Sequence, residues 1–227
     1  MASATSIGER CNRLAENLLV TSQASAIGLV AVSPEDGTHR PMLNLEYPPE
    51  TEAYHTTTRF TRQCHGFQQI LLKPDEIQCW DDLPNFRNSF GAQTVYQPAG
   101  YRNGISVVLN DNLGSTVAML HVSTKDEKLD PGIKNTLAEI RPLVAEWAVV
   151  LARFELARLS SRESQVLALM RDGLSNAQIA SELVVAPRTV TTHVESILRK
   201  LHAGNRTEAA VMAERYGLER ETRHAVA

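Results

Sequence analysis

The sequence lacks the marks of several classes of protein. Its three cysteines, Cys11, Cys64 and Cys79, are odd in number and scattered, which argues against a disulfide framework and agrees with a reducing compartment. No apolar run reaches the roughly 18 residues that a membrane span needs. The first residues also show no basic segment followed by an apolar one, as a secretion signal would. We therefore expect a cytoplasmic protein that does not bind membranes.

Residue patterns of catalysis are missing as well. The chain has no GxxxxGK[ST] motif for nucleotide phosphates, no Ser/His/Asp set and no paired carboxylates. Potential metal ligands are present at His55, Cys64, His65 and Cys79, but the adjacent Cys64 and His65 cannot easily both face one ion from a strand. A metal or thiol sensor is the less favoured interpretation. We expect no enzyme activity, no catalytic residue, no cofactor and no metal.

The sequence does contain enough apolar material for two domains. Of its 227 residues, 43% are hydrophobic and 22% are charged, which is the composition of an ordinary globular protein. The net charge is −3, yet residues 159–227 hold 9 basic against 8 acidic side chains. This balance permits nucleic-acid binding by the C-terminal part without requiring it.

The N-terminal part predicts helices and strands in mixed order. Apolar residues at steps of four and three predict a helix from Ser6 to about Val20: Ile7, Cys11, Leu14 and Leu18. Residues 26–32 predict a buried strand and residues 40–47 its partner. Two apolar runs around NDNLG predict a hairpin within residues 104–124. Residues 48–100 show no sustained period, and only 83–90 predicts a short helix there.

A long helix is predicted from Pro131 to Arg158, and Pro142 is expected to kink or open it. Its apolar stripe alternates by four and three through Ile133, Leu137, Ile140, Val144, Trp147, Leu151 and Phe154. Such a stripe packs either on the chain's own sheet or against a second copy. We favour a dimer seam, and the two arrangements are compatible.

The C-terminal part predicts four helices. Three pairs follow the pattern in which one side chain caps the first turn and another reaches back: Ser160 with Glu163, Ser175 with Gln178, and Asn205 with Glu208. Three glycines stand where helix ends need a left-handed residue: Gly173, Gly204 and Gly217.

The helix that begins at Pro187 has one apolar and one polar face. Val190, Val194, Ile197, Leu198 and Leu201 form the anchoring face, and Arg188, Thr191, Thr192, Glu195 and Arg199 the outer face. A short helix held by a preceding helix through a tight turn has the shape that enters a DNA major groove.

The stretch LSSRESQVLALMRDGLSNAQIASELVVAPRTVTTHVESILRKLHAGNRTEAA resembles the LuxR-type (GerE-like) helix-turn-helix of bacterial transcription regulators. The resemblance implies base contacts from Thr191, Thr192 and Glu195, and phosphate contacts from Asn176, Arg188, Thr189, Arg199 and Lys200. It also implies dimer contacts on the last helix, at Ala209, Val211, Met212 and Arg215. Two such domains would read an inverted-repeat operator in double-stranded DNA.

The stretch departs from the family pattern at two positions. Ala186 replaces the usual serine cap, at a cost of about 1 kcal/mol, which Pro187 partly offsets by presetting φ. Thr191 replaces a usual lysine. We therefore expect a different base preference and a modest affinity for phosphate.

Residues 6–155 resemble the GAF sensory fold in the order of their elements. The resemblance implies a six-stranded antiparallel sheet, terminal helices that often pair between subunits, and a ligand pocket. Nine of the 12 aromatic residues lie between Tyr47 and Tyr101, as either an apolar cavity or a small core requires. The predicted pocket lining is Tyr54, Phe67, Trp80, Phe90, Tyr96 and Tyr101. An acyl-homoserine-lactone receptor domain is a related alternative.

The predicted class is α+β. An N-terminal α/β/α GAF-like antiparallel-sheet domain (residues 1–157) is joined by a long helix to an all-α four-helix helix-turn-helix domain (158–218), followed by a polar tail (219–227). We expect a homodimeric, sequence-specific transcription regulator whose activity is set by a signal, such as a small-molecule ligand, in the N-terminal domain. An activator would also contact RNA polymerase. The alternative is a constitutive regulator whose N-terminal domain is a dimerisation or docking scaffold without ligand.

Overall fold

The computed structural model describes residues 6–218, which divide into two compact units. The first unit is Arg10–Leu156, and the second consists of the described residues of Ala157–Ala227 and Met1–Glu9. Within residues 6–218, no helix combines the length and the apolar character needed to cross a bilayer. The tail predicted at 219–227 lies outside the described residues.

The first unit is built on an antiparallel sheet. Its strands are β1 (Ala26–Val32), β2 (His39–Leu45), β3 (Gln78–Cys79), β4 (Asn103–Asn110) and β5 (Thr116–Thr124), in the spatial order β2-β1-β5-β4-β3. The predicted strands 26–32 and 40–47 and the hairpin are confirmed. The expectation of six strands is wrong for the described residues, because the segment between β2 and β3 folds into helices.

The segment between β2 and β3 forms three short helices, which the sequence did not predict. They are α2 (Pro49–His55), α3 (Thr58–Gln63) and α4 (His65–Leu72). Thr57 caps α3 by accepting a hydrogen bond from the Phe60 amide at 3.2 Å. Within the predicted helix 83–90, only Phe86–Asn88 forms one 3₁₀ turn. Helices of six to eight residues hold too few turns for an apolar period to repeat.

Two long helices, α1 (Ile7–Thr21) and α5 (Ile133–Ala157), cover one face of the sheet. Val144 of α5 lies in an apolar cluster with Cys11 and Leu18 of α1 and with Ile27 and Leu29 of β1. The helix α5 starts two residues after Pro131 and continues through Pro142. The predicted helix 6–20 is confirmed as α1.

The apolar stripe on α5, which was predicted as a dimer seam, packs mainly within its own chain. Five of its seven members are buried within the chain itself: Ile133, Leu137, Val144, Leu151 and Phe154. Ile140 and Trp147 are half-buried. The central strand β1 is buried at every position, so the sheet needs cover on both faces, and the stripe on α5 covers one of them within the same chain.

The second unit contains four helices, α6 (Ser161–Arg171), α7 (Asn176–Leu183), α8 (Pro187–Lys200) and α9 (Arg206–Tyr216), as predicted. Both serine capping boxes form, and Asn205 accepts from the Glu208 amide at 2.9 Å. Gly173 and Gly217 have the predicted positive φ, 82° and 84°. The prediction for Gly204 is wrong, because His202, with φ of 50°, makes the left-handed step after α8.

Candidate functional site

The helix α8 is held by its apolar face and presents a polar face to solvent. Val190, Ile197 and Leu201 are completely buried, and Val194 and Leu198 are half-buried. The outer residues Arg188, Thr189, Thr191, Thr192, Glu195 and Arg199 are all exposed. The structure therefore brings together six of the eight side chains that were predicted to contact DNA on one accessible surface. We call these six residues the outer face of α8.

The start of α8 lacks a side-chain cap, as expected. Ala186 occupies the N-cap position without a side-chain hydrogen bond, and Pro187 follows as the first helical residue. The preceding turn contains Val184 in the left-handed region, with φ of 54° and ψ of 53°. Its backbone therefore makes the sharp change of direction between α7 and α8 without a glycine.

The two threonines at the centre of the outer face bind their own helix backbone. Thr191 Oγ1 donates to the Pro187 carbonyl and Thr192 Oγ1 to the Arg188 carbonyl, each at 3.2 Å. With the hydroxyl protons used in this way, each side chain offers a methyl group and oxygen lone pairs to a ligand. Glu195, one turn further along, offers only acceptors.

Asn176 connects three helices of the second unit. Its Nδ2 donates to Thr191 Oγ1 at 3.3 Å, and its Oδ1 accepts from the Arg206 guanidinium at 2.8 Å. Arg206 also donates to the Leu174 carbonyl. These contacts fix the orientation of α8 against α7 and α9, and Asn176, which was predicted to contact phosphate, retains one amide hydrogen for an outside partner.

Lys200, another predicted phosphate contact, is engaged within its own domain. Its Nζ donates to Glu163 Oε2 at 2.6 Å. The same carboxylate accepts from Ser196 Oγ at 2.6 Å and from the Ser160 backbone amide at 2.7 Å. Burial alone would raise the pKa of Glu163, but the hydrogen bonds from Lys200, Ser196 and Ser160 outweigh it and lower the pKa to about 2. Lys200 thus holds α8 to α6 through an ionised Glu163.

The predicted dimer contacts on α9 are only partly accessible. Ala209 is completely buried and Met212 is 9% exposed, so the prediction is wrong for both, because they pack inside their own domain. Val211 is 54% exposed and can reach a partner.

A second candidate site lies in the first unit, on the sheet face that carries the aromatic residues. A cavity of about 30 Å³ is lined by Phe60, Phe67, Trp80, Tyr96, Tyr47, His55, Ser106, His121 and Ser123, among others. Phe67, Trp80 and Tyr96 were predicted to line it. Tyr54 and Tyr101 are buried in the adjoining core rather than in the lining. The prediction for Phe90 is wrong, because its ring is 47% exposed, beneath the Arg59 guanidinium.

The sequence did not reveal the polar groups of this cavity. His55 and His121 stack with their ring centroids 4.7 Å apart. His55 Nε2 pairs with Tyr96 Oη at 2.7 Å, and His121 Nδ1 with Ser106 Oγ at 2.9 Å. Burial lowers the pKa of His55 to about 3, and that of His121 well below its usual value. Both rings are therefore uncharged at neutral pH.

His39 adds a third buried imidazole to this region. Its ring meets those of Phe60 and Phe67 edge to face, with centroids 5.5 and 5.0 Å away. Burial lowers its pKa to about 4. Among residues 6–218, no group of three or more His, Cys, Asp or Glu side chains is arranged to hold a metal ion.

The anchored α8, the tight turn before it and its free outer face define the second unit as a helix-turn-helix domain of the DNA-binding kind. Residues 157–213 match the family model GerE, described as bacterial regulatory proteins, luxR family. The domain belongs to this family, and the resemblance seen in its sequence is confirmed.

Relatives match the chain over this domain. It is 52% identical over 56 residues to the HTH-type transcriptional regulator MalT of Vibrio campbellii, covering 25% of this chain and 6% of the relative. It is 42% identical over 64 residues to the uncharacterized transcriptional regulatory protein YhcZ of Bacillus subtilis, covering 28% and 30%. The chain therefore spans less than a third of the length of either relative.

Solved structures resemble larger parts of the chain at low similarity. The structure of Escherichia coli SdiA matches over 95% of this chain and 92% of its own length, with 20% identity and a TM-score of 0.41. The structure of the VqsR LBD domain of Pseudomonas aeruginosa matches over 63% of this chain and 87% of its own length, with 13% identity and a TM-score of 0.48.

Proposed function

We propose that this protein is a sequence-specific, DNA-binding transcription regulator that places α8 in the major groove. The observation that carries the proposal is the outer face of α8, which is exposed and polar on a luxR-family helix whose other face is anchored by three completely buried residues. Such an arrangement stabilises the domain and leaves the outer side chains free to meet a ligand.

Within this proposal the outer residues divide into two groups. Thr191, Thr192 and Glu195 face the base edges, where a threonine methyl suits thymine and a carboxylate accepts from cytosine N4. Arg188, Thr189 and Arg199 contact phosphates, and so does Asn176 through its remaining amide hydrogen. Lys200 does not contact phosphate in this proposal, because its ammonium is bound to Glu163.

The proposed active form is a homodimer. Two copies related by a twofold axis would read an inverted repeat whose half-sites lie about one helical turn apart. If the protein activates transcription, it also contacts RNA polymerase. Val211 and Arg215, both exposed on α9, are the predicted dimer residues that remain accessible.

The first unit is proposed to sense a small-molecule signal. Its cavity, which is lined by aromatic rings and by uncharged polar groups, supports this role. The cavity volume of about 30 Å³ favours a second candidate, a constitutive regulator with a scaffold domain. Pockets for drug-sized ligands measure roughly 300–1,000 Å³, so a ligand as long as an acyl-homoserine lactone does not fit this conformation.

The test of DNA recognition is to select binding sites from random duplexes and then to measure affinities by fluorescence anisotropy. Thr192→Ala with Glu195→Ala should relax the base preference, while Arg199→Ala should weaken binding to every duplex and reduce the salt slope by about 1. Arg13→Ala, which removes an exposed arginine from α1, is the matched control and should change neither. Equal losses for all variants on all duplexes would contradict the assignment.

A further inference from the structure

The sheet face beneath the cavity is unusually polar and small. Gly28, Gly104, Ser106, His121 and Ser123 form one patch, which we call the polar floor, because Gly28 and Ser106 pair with His121 and Gly104 pairs with Ser123 across neighbouring strands. A sheet face in a core is normally filled by Val, Ile or Leu. The rings of Tyr47 and Trp80 pack directly on Gly28 and Gly104, because a Cβ added at these glycines would lie 3.2 and 2.8 Å from them. The cavity is left beside these rings, where Ser106 and His121 belong to its lining.

The polar floor also carries a hydrogen-bonding atom without a partner. His121 is 4% exposed, its Nδ1 is bound to Ser106, and its Nε2 has no hydrogen bond to any part of the chain that the structure describes. Leaving a buried polar atom unpaired destabilises the folded chain. An unsatisfied group in a cavity lining is therefore best explained by a partner that comes from outside the chain.

The rest of the lining indicates what that partner is. No Asp, Glu, Lys or Arg lines the cavity, so a charged ligand would be buried without a counter-charge. The roof consists of flat rings, including Phe60, Trp80 and Tyr96, which favour a planar molecule that can stack or meet their edges. The present volume of about 30 Å³ holds about two waters, so a six-membered ring enters only when side chains such as Phe60 and Phe67 move aside.

We propose that the cavity above the polar floor binds a compact, uncharged, planar molecule that forms a hydrogen bond with His121 Nε2. This inference rests on the sensory role proposed for the first unit and specifies the chemical class of its ligand. The proposal excludes long-chain molecules and anions as ligands of this cavity.

The test uses full-length protein labelled with ¹⁵N-histidine and four probes of matched size. Benzamide is planar, uncharged and hydrogen-bonding, and each of the others removes one property: benzoate is charged, cyclohexanecarboxamide is not planar, and toluene has no hydrogen-bonding group. Benzamide should shift the Nε2 resonance of His121 and bind about tenfold more tightly than each of the other three.

Two variants separate recognition from folding. His121→Leu should weaken benzamide binding about tenfold and leave toluene binding unchanged, because only the hydrogen bond is lost. His65→Leu, the same change at an exposed position, should alter neither. If His121→Leu does not fold, the shift of the His121 resonance in the unsubstituted protein decides.

The inference is overturned if no probe moves the His121 resonance at 10 mM, which is the result expected when the cavity holds water only. Benzoate binding as tightly as benzamide would overturn it as well. Anisotropy with the selected duplex, measured on the same sample, keeps the two proposals apart. DNA binding without probe binding refutes the ligand site alone, and probe binding without DNA binding refutes the proposed regulator alone.

Discussion

Replacing Glu163 by glutamine should selectively destabilise the helix-turn-helix domain. The side chain of Glu163 is only 6% exposed, and its carboxylate joins the start of α6 to Ser196 and Lys200 of α8. Glutamine keeps the size and one acceptor oxygen, but it loses the charge and turns an NH₂ group towards donors. The variant therefore removes the ionic link between the two helices with little change in volume.

The expected loss follows from the pKa. The pKa of Glu163 is lowered from its usual 4.5 to about 2. At 1.36 kcal/mol for each unit of pKa, this difference corresponds to about 3 kcal/mol of folding free energy at pH 7. Because the folded-state pKa lies below that of the unfolded chain, this contribution is complete above pH 4.5 and is lost as the pH falls towards 2. The Lys200 side chain is 29% exposed and can turn to water, which keeps the loss from growing much further.

The sequence itself supplies a way to measure the two units separately. Both tryptophans, Trp80 and Trp147, lie in Arg10–Leu156, so tryptophan fluorescence follows the first unit and far-ultraviolet circular dichroism follows both. With a urea m-value of about 1 kcal/mol/M for a domain of this size, Glu163→Gln should lower the dichroism midpoint of the second unit by about 3 M. The fluorescence midpoint should not move.

The matched control is Glu182→Gln, which removes a negative charge from an exposed position on α7 of the same domain. It should change stability by less than about 0.5 kcal/mol. The reasoning is refuted if Glu163→Gln leaves the dichroism transition in place, or if it shifts the fluorescence transition equally.

Three further expectations concern the buried histidines, the start of α8 and the sheet. Lowering the pH from 7.5 to 5 should destabilise the first unit by about 2 kcal/mol for each of His39 and His55. Their folded-state pKa values of about 4 and 3 lie below the usual 6.5, so stability is full above about pH 6.5 and falls below it, and an unchanged fluorescence midpoint in urea would contradict this. Ala186→Ser should restore the missing cap of α8 and raise the unfolding free energy of the second unit, followed by dichroism, by about 1 kcal/mol; no gain would mean that the turn cannot orient the hydroxyl. Gly104→Ala places a methyl 2.8 Å from Trp80 Nε1, so it should cost about 1–3 kcal/mol by fluorescence, and a neutral result would show that Trp80 moves freely.

The helix-turn-helix domain was predictable from sequence because its determinants are local. Ser160 and Ser175 each cap a helix through a residue three positions later, and the apolar stripe of α8 repeats within 14 residues. The second role of Glu163 was not predictable. Its link to Lys200 joins residues 37 positions apart, and only the packing of α8 on α6 brings them together.

In the first unit, periodicity identified α1 and the long strands but not what they face. The stripe on α5 has the same spacing whether it packs on a sheet or on a second copy, so the sequence could not choose between them. The cavity escaped prediction for a related reason. His55 and His121 look like isolated histidines along the chain, and they meet only because His55 ends a helix that lies over β5.

The strand order has a consequence for how the chain folds during synthesis. β1 lies between β2 and β5, so the centre of the sheet cannot close until residue 124 has left the ribosome. Until then, β1 exposes a wholly apolar strand with one unpaired edge. The helix-turn-helix domain is entirely helical and its four helices lie within residues 161–216, so its contacts are closer in sequence than those of the sheet and it folds faster once it emerges. We conclude that the slow and aggregation-prone step of biosynthesis belongs to the N-terminal sheet.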